Sequence, residues 1–438
     1  MSRSQVLVIY KLLLPVFFIV AFPAWLLKMW RRGGYGTGLL ERFARFKVPA
    51  SGEMKQVIYV HAVSVGEVFI ALKLINRWLE QQPDLRVVLA VTTSTGHAVA
   101  REAGLNNVRV IYSPLDFVWT VRAVMRRFKP RQIVLIESEM WPNLLNCARR
   151  REIPVVMVNA RLSQRSEARV KKFSKLVQPL YAMVDLVCVQ NEEDARRMAS
   201  IGVKPGKIRV TGSIKFDPSG GAAPEKRAEF QAILDDFAEG VDSHRRVVLL
   251  ASTHSGEEKL LGEAFARSES GALLLVVPRH AERRDEVVTD LQACGYEVVL
   301  RSRYQPPRDA TNACLVVDTT GELCDWTAHA DVVVIGKSWL AEGGQNPAEA
   351  IAAGVPVVTG PNMDNFEPLI SMLKRAGGIR MLDSADDLPE VLDGLLGDAQ
   401  AASRMCHRAA EVLGSHEQAV QKTIELLHLN ASVASRNM

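Results

Sequence analysis

The sequence predicts two doubly wound α/β domains in series, preceded by an apolar helix. Three observations carry that expectation. Apolar, β-branched runs alternate with amphipathic helical stretches, the rhythm breaks at DPSGGAAPEKR (217–227) and then restarts, and no charge falls between Leu12 and Leu27. Alternating strands and helices imply a parallel sheet covered on both faces.

In chain order, the first half offers QVIYVHAV, RVVLAVTT, VRVIYSP, RQIVLIES, IPVVMVNA, LVCVQ and IRVTG as strands. After the Pro/Gly/Ser-rich stretch, which reads as a linker, come RRVVLLAS, ALLLVVPR, YEVVLRS, ACLVVDT, DVVVIG and PVVTGP. The expected divisions are an anchor with its basic flank (1–32), a first domain (33–215), the linker with a second domain (216–416), and a C-terminal helix and tail (417–438). The helical text near His407 to Leu429 is expected to pack back on the structure, with ASVASRNM as a frayed tail.

The apolar stretch approaches the roughly 20 residues a spanning helix needs. Pro15 and Pro23 weaken a straight helix, although membranes tolerate them. No small-residue cleavage site follows, as a signal peptide would require; Lys28, Arg31 and Arg32 follow instead, a flank that stays cytoplasmic. Leu39, Leu40, Phe43 and Phe46 share the next helical face, with Arg42, Arg45 and Lys47 available to lipid headgroups. The alternative is a helix packed on its own domain.

The chain has 438 residues, a 48% hydrophobic fraction and a formal charge of +5. That charge suits an anionic membrane surface or substrate and is too small and dispersed for a nucleic-acid binder. Cys147, Cys188, Cys294, Cys314, Cys324 and Cys406 form no CxxC pair and read as buried thiols of a reducing compartment. The dinucleotide GxGxxG, the P-loop, DxD and HxxxH patterns are missing, so the sequence gives no sign of a cofactor or a metal site.

Ligands of open parallel sheets lie beyond the carboxyl ends of the strands, and with two such domains the expected site is the cleft between them. HAVSVGEV brings Ser64, Gly66 and Glu67 to such an end. Glu67 reads either as a general base for a hydroxyl or as a helix-dipole partner. ESEMWPN puts Glu137 and Glu139 after another strand, where they read as site acids; the alternative is that Ser138 or Glu139 caps the helix containing Pro142. Lys215 of VTGSIKFD is either a cation facing an anionic ligand or an ordinary surface lysine.

In the second half, Ser252, Thr253 and Ser255, then Arg279 and His280, and then Gly321 stand at strand-to-helix junctions. There free N–H groups welcome anions, or ordinary capping accounts for them. In GKSWLAEGGQNPAEA, Gly343 and Gly344 allow a tight loop. Asn346 is placed to cap, Pro347 to open the helix, and Glu349 to close a capping box. In transferases with two such domains a glutamate there holds the ribose diol instead.

At these residues the chain resembles the family that transfers 3-deoxy-D-manno-octulosonic acid (Kdo). The matching text is an ordered set over nearly the whole length: the N-terminal anchor, HAVSVGEV, ESEMWPNLL, NARLSQRS, QNEEDARRMASIGV, VTGSIKFD, ASTHSGEE, VPRHAER, GELCDW, GGQNPAEA and GPNMDNFEPLI. The resemblance implies a two-domain GT-B fold facing a cleft, acceptor-binding domain first. It implies CMP-Kdo as donor, lipid IVA as acceptor, inversion at the anomeric carbon and no metal.

By the same resemblance Glu67 is the general base, and Glu137 and Lys215 stabilise the transition state. CMP is held by Pro278, Arg279, Gly321, Glu322, Leu323, Asn346, Pro347, Ala348 and Glu349. The implied location is the cytoplasmic face of the inner membrane, among anionic lipids. Departures are a short VTTSTGHA, Ser138 where threonine is common, and Trp339 and Glu342 in their loop; they bear on the acceptor more than on the reaction. The rivals are a GT-B transferase using a UDP-sugar on a lipid or peptidoglycan precursor, and a non-catalytic membrane scaffold.

Overall fold

The computed structural model describes residues 1–32, 38–46, 57–217, 224–239, 241–242 and 244–436. The side chains of Lys28, Arg31 and Arg32, Lys47, and most of the expected linker (218–223) lie outside the described residues. The chain divides into two compact units, Met1–Ser219 with Gln418–Met438, and Gly220–Glu417.

The first unit holds seven parallel strands: β1 (Val57–Ala62), β2 (Arg86–Val91), β3 (Val108–Tyr112), β4 (Gln132–Ile136), β5 (Val155–Ala160), β6 (Leu186–Val189) and β7 (Ile208–Val210), in the order β3-β2-β1-β4-β5-β6-β7. Alternation along β1 shows why the strands are apolar throughout. Val57 and Tyr59 join one core, with Val124 and Phe128. Ile58, Val60 and Ala62 join the other, with Leu74 and Trp78 of the helix Val65–Gln81. Both faces of the sheet are covered, so neither set of side chains is polar.

The second unit repeats the plan with β8 (Val247–Thr253), β9 (Leu273–Pro278), β10 (Glu297–Leu300), β11 (Ala313–Val316), β12 (Val332–Ile335), β13 (Val357–Thr359) and β14 (Arg380–Met381), ordered β10-β11-β9-β8-β12-β13-β14 and again parallel. β14 is too short to leave a pattern in the sequence.

The first strand of each sheet sits inside it: β1 between β2 and β4, and β8 between β9 and β12. Connections therefore leave in both directions from these pairs. At such switch points the crevice beyond the strand ends is open to a ligand.

Two terminal features depart from expectation, while the final helical text packs back on the structure as expected. The late helical text is two helices, Ala399–Gly414 in the second unit and Ala419–Arg436 in the first. The last residues are helical to Arg436 instead of forming a frayed tail. Asp217 ends the outgoing chain and caps the returning helix, its carboxylate accepting the Gln418 N–H at 3.2 Å and the Val420 N–H at 2.8 Å. Ala419, Val420, Ile424 and Leu427 then bury themselves in the first unit's core.

The N-terminal helix runs over Arg3–Arg32 through both prolines. Its Arg3–Pro23 stretch has a mean hydropathy of 2.4 and is long enough to cross a membrane. One face rests on the unit, burying Val6 and Leu7 and setting Phe18 edge-on to Phe117 at 5.4 Å. The following helix is only Gly38–Arg42. Arg42 is not available to headgroups: its guanidinium is buried, donates to the Thr92 carbonyl at 2.6 Å and lies 4.5 Å from the Tyr112 ring centre. Phe46 packs on Phe128. The described part of this segment thus packs on its own domain, because an arginine this close to a tyrosine face and a carbonyl gains more there than in water.

Candidate active site

At the carboxyl end of β1 the chain turns through Val63 and Ser64 into the helix Val65–Gln81. Ser64 Oγ accepts the Glu67 N–H at 3.3 Å, and the Glu67 carboxylate reaches back, a capping box. Oε1 accepts from the Ser64 N–H (3.3 Å) and hydroxyl (3.0 Å), while Oε2 accepts from the Val63 N–H (2.8 Å). An ionised carboxylate offers about four lone-pair sites. These three bonds therefore fix its orientation and leave capacity on Oε2.

β4 pairs with β1, His61 standing opposite Leu135, so Glu137 emerges beside this turn. Glu137 has φ +58°, the left-handed region a β-carbon disfavours by about 1–3 kcal/mol. Its N–H donates to the Val158 carbonyl at 2.9 Å, which holds the residue in that bend. Its Oε2 lies 3.8 Å from Arg161 Nε, just past β5. Ser138 Oγ donates to the Arg161 carbonyl, tying the two loops together.

Neither Ser138 nor Glu139 caps the helix Pro142–Arg150. Asp116 does so from elsewhere in the chain, its carboxylate accepting the Asn143 N–H at 2.8 Å and the Leu144 N–H at 2.9 Å. The capping alternative for Ser138 and Glu139 therefore fails.

The charges form one coupled group. Burial holds Glu137 above its usual pKa and Glu67 adds to the rise, while Arg161 and Lys215 oppose it. Glu139 is pushed up to about 7, by burial first and then by Glu67 and Glu137. Lys215 is lowered by desolvation and then by Arg161, with Glu137 pulling the other way. Three acids and two cations thus share the β1/β4 switch point. Arg161 was missed by sequence reasoning, although it sits in NARLSQRS, immediately after a strand.

The second unit brings its expected residues to the corresponding edge. Pro278 ends β9, and the exposed Arg279 follows, its N–H bonded to the Thr253 carbonyl at 3.0 Å. Gly321 has φ +85°. Glu322 meets Arg301 at 3.3 Å and accepts from the Trp326 indole at 3.2 Å, and Leu323 opens a short helix.

Asn346 Oδ1 accepts the Ala348 N–H at 3.1 Å, and Pro347 stands just before the helix Ala348–Ala352. The expected capping box is not formed. Glu349 Oε1 meets only the Asn346 side-chain amide, at 3.5 Å, and the residue is exposed. Its spacing from the cap is right, but the helix begins with Pro347 at the cap position, so Asn346 serves Ala348 and the carboxylate is left pointing outward. Gly343 and Gly344 have φ +107° and +68°; a β-carbon on Gly344 would stand 2.2 Å from Met363 Sδ.

Three residues named for anion binding are partly spent inside the fold. Ser252 has φ +58°, Thr253 Oγ1 donates to Glu258 at 2.7 Å, and Ser255 Oγ donates to Glu286. The buried acids Glu257 and Glu258 escaped the sequence reading. Their signal was two adjacent carboxylates at a helix start just after an apolar strand. Among the described residues no three His, Cys, Asp or Glu side chains group as a metal-ligand set.

The comparisons with known proteins agree with the fold. A UDP-GlcNAc 2-epimerase from Neisseria meningitidis superposes with a TM-score of 0.54 at 14% identity, covering 85% of this chain and 99% of that one. A glycosyltransferase from Rickettsia africae superposes at 0.52 and 10%, covering 88% and 100%. Two parallel seven-stranded units of this kind define the GT-B class. The model of the family "3-deoxy-D-manno-octulosonic-acid transferase (kdotransferase)" matches residues 37–218.

The 3-deoxy-D-manno-octulosonic acid transferases of Haemophilus influenzae and Bordetella pertussis are 31% and 33% identical over 397 and 416 residues, covering 90% and 91% of this chain and 91% and 94% of theirs. The chain belongs to the Kdo transferase family and is a glycosyltransferase.

Proposed function

We propose that this enzyme transfers Kdo from CMP-Kdo to lipid IVA at the cytoplasmic face of the inner membrane, with inversion and without a metal. The observation that carries the reading is Glu67. It is a carboxylate at the β1 switch point, oriented by three donors and left with an open acceptor position.

A glucosamine hydroxyl of the acceptor donates its proton to Glu67 as its oxygen bonds the anomeric carbon of Kdo. The bond from that carbon to the CMP phosphate oxygen breaks, and CMP leaves with the bonding pair. The carbon passes through an oxocarbenium-like state, stabilised by Glu137, while Lys215 and Arg161 hold the carboxylate of the sugar acid. Charge growing on the phosphate is met by Arg279 and by the N–H groups after Gly321, and Glu349 holds the ribose diol. The apolar N-terminal helix keeps the first unit at the bilayer, so the acceptor's acyl chains stay in lipid.

Mass spectrometry of lipid IVA incubated with CMP-Kdo and the full-length enzyme tests this. The expected product gains one or more Kdo units, with CMP released and CMP, not UDP, competing. Turnover of a UDP-sugar instead would favour the rival transferase, and no product from either donor would favour the scaffold.

A further inference from the structure

Between the N-terminal helix and the first unit lies a cavity of about 230 Å³. Lys11 enters it from the N-terminal helix, Arg122 from the helix Val118–Phe128, and Arg150 and Arg151 from the end of the helix Pro142–Arg150. Asn143 and Cys147 are also in its wall. No carboxylate lines it, and none of the four cations is ion-paired with a carboxylate among the described residues. Four like charges around one small hollow repel one another, and an anion placed there relieves that repulsion. The Asn143 Oδ1 in this region is buried and has no hydrogen-bond partner among the described residues.

The outer face of the adjoining helix says where such an anion comes from. Leu12, Leu13, Val16, Phe17, Ile19 and Val20 are 58–74% exposed, a continuous apolar stripe that a soluble surface does not carry without a partner. An apolar stripe lying beside a cluster of cations is the pattern of a helix set in the lipid interface.

We propose that this cavity is a binding site for the headgroup of an anionic bilayer phospholipid, its phosphodiester between the four cations and its acyl chains along the exposed helix stripe. The site adjoins the active-site loop. The Tyr10 hydroxyl, one residue before Lys11, hydrogen-bonds the Asp116 carboxylate, and Asp116 in turn caps the helix that follows Glu137–Trp141. Lipid bound there steadies the start of that helix through Asn143 and Tyr10. The proposal rests on the membrane part of the functional reading and is independent of the sugar transferred.

The test is co-sedimentation of the full-length protein with vesicles of phosphatidylcholine alone or with added phosphatidylglycerol. Arg122→Gln with Arg150→Gln is compared with Arg126→Gln plus Arg149→Gln, which removes the same charge from the same two helices outside the cavity. All four arginines are on the surface, so melting temperatures should match. The expected result is a preference for phosphatidylglycerol that the cavity pair lowers about tenfold and the control pair much less. Millimolar inorganic phosphate should fail to displace the protein. Equal losses in both pairs would reduce the effect to diffuse charge and overturn the site. Displacement by phosphate would make it a free-anion site and overturn the lipid assignment. Binding to both vesicle types without preference would sink this inference alone, while binding to neither would also remove the membrane reading.

Discussion

Glu67 and Glu257 occupy matched places. Each lies in the first turn of the helix that follows the first strand of its sheet, and each reaches back to backbone N–H groups. Glu257 is fully buried and spans two loops, accepting from His254 N–H at 2.9 Å, Lys337 N–H at 2.6 Å and Trp339 N–H at 3.0 Å. Its neighbour Glu258 is equally buried and holds Arg283 through both guanidinium nitrogens, at 2.9 and 3.0 Å. Glu67 bonds only within its own turn and shares its surroundings with Glu137 and Glu139. The difference teaches that an acid at a switch point is not by itself evidence of chemistry. What counts is whether its bonds tie two loops together, as at Glu257, or stay within one turn beside other acids, as at Glu67.

The largest expected effect follows from that contrast. Glu67→Gln keeps a capping box, since glutamine serves there as well, but removes the base. The single-turnover rate should fall about 10²–10⁴-fold with CMP-Kdo affinity close to wild type, while the N–H that the amide nitrogen cannot accept costs about 1–3 kcal/mol of stability. Retention of more than about a tenth of the rate would make Glu67 a structural acid like Glu257 and shift the base to Glu137 or Glu139.

Glu257→Ala should do the reverse. It strands three backbone N–H groups at about 1–3 kcal/mol each, so stability should drop by on the order of 3–9 kcal/mol while the folded fraction turns over at a near-normal rate. Chemical denaturation with activity measured on the same samples checks both halves. A stable but inactive variant would erase the distinction between the two acids.

The smallest effect concerns Glu139. Its folded pKa is raised from 4.5 to about 7, so the folded state holds a proton that the unfolded state has lost. The cost to stability appears as pH rises through 4.5 and is complete above about 7. Glu139→Gln should therefore melt higher than wild type at pH 8, with the gap closing as pH falls and vanishing near pH 4. A gap independent of pH would show that Glu139 does not share the electrostatics of Glu67 and Glu137.

The sheets were legible because both their faces are buried: an unbroken run such as QIVLI or LLLVV leaves a parallel strand as the economical reading. The acids after β1 and β4 were legible for a related reason, since charge directly after such a run is polar text in a costly place. Contacts distant in sequence were not legible. Nothing in ESEMWPN shows that Asp116 supplies the cap, and nothing in GLLERFARFK shows that Tyr112 and the Thr92 carbonyl receive Arg42. The acids Glu257 and Glu258 were visible but could not be assigned, because their partners Lys337, Trp339 and Arg283 are 25 or more positions away. The exposure of Glu349 also depends on where its helix begins, and sequence fixes that only to within a residue or two.

The Asp217 clasp has a consequence for biosynthesis. Its carboxylate waits for Gln418 and Val420, and the first unit is also completed by Trp78 donating to His428 at 2.7 Å and by Gln132 donating to the Leu427 carbonyl at 3.1 Å. A ribosome delivers these partners only after the second unit. The unit carrying the N-terminal helix is thus synthesised first and finished after the second unit, which is in effect an insertion within it. During translation the nascent first unit exposes the apolar groove that Ile424 and Leu427 later fill, tethered meanwhile by its leading helix, and a truncation before Gln418 would damage the unit that was made first.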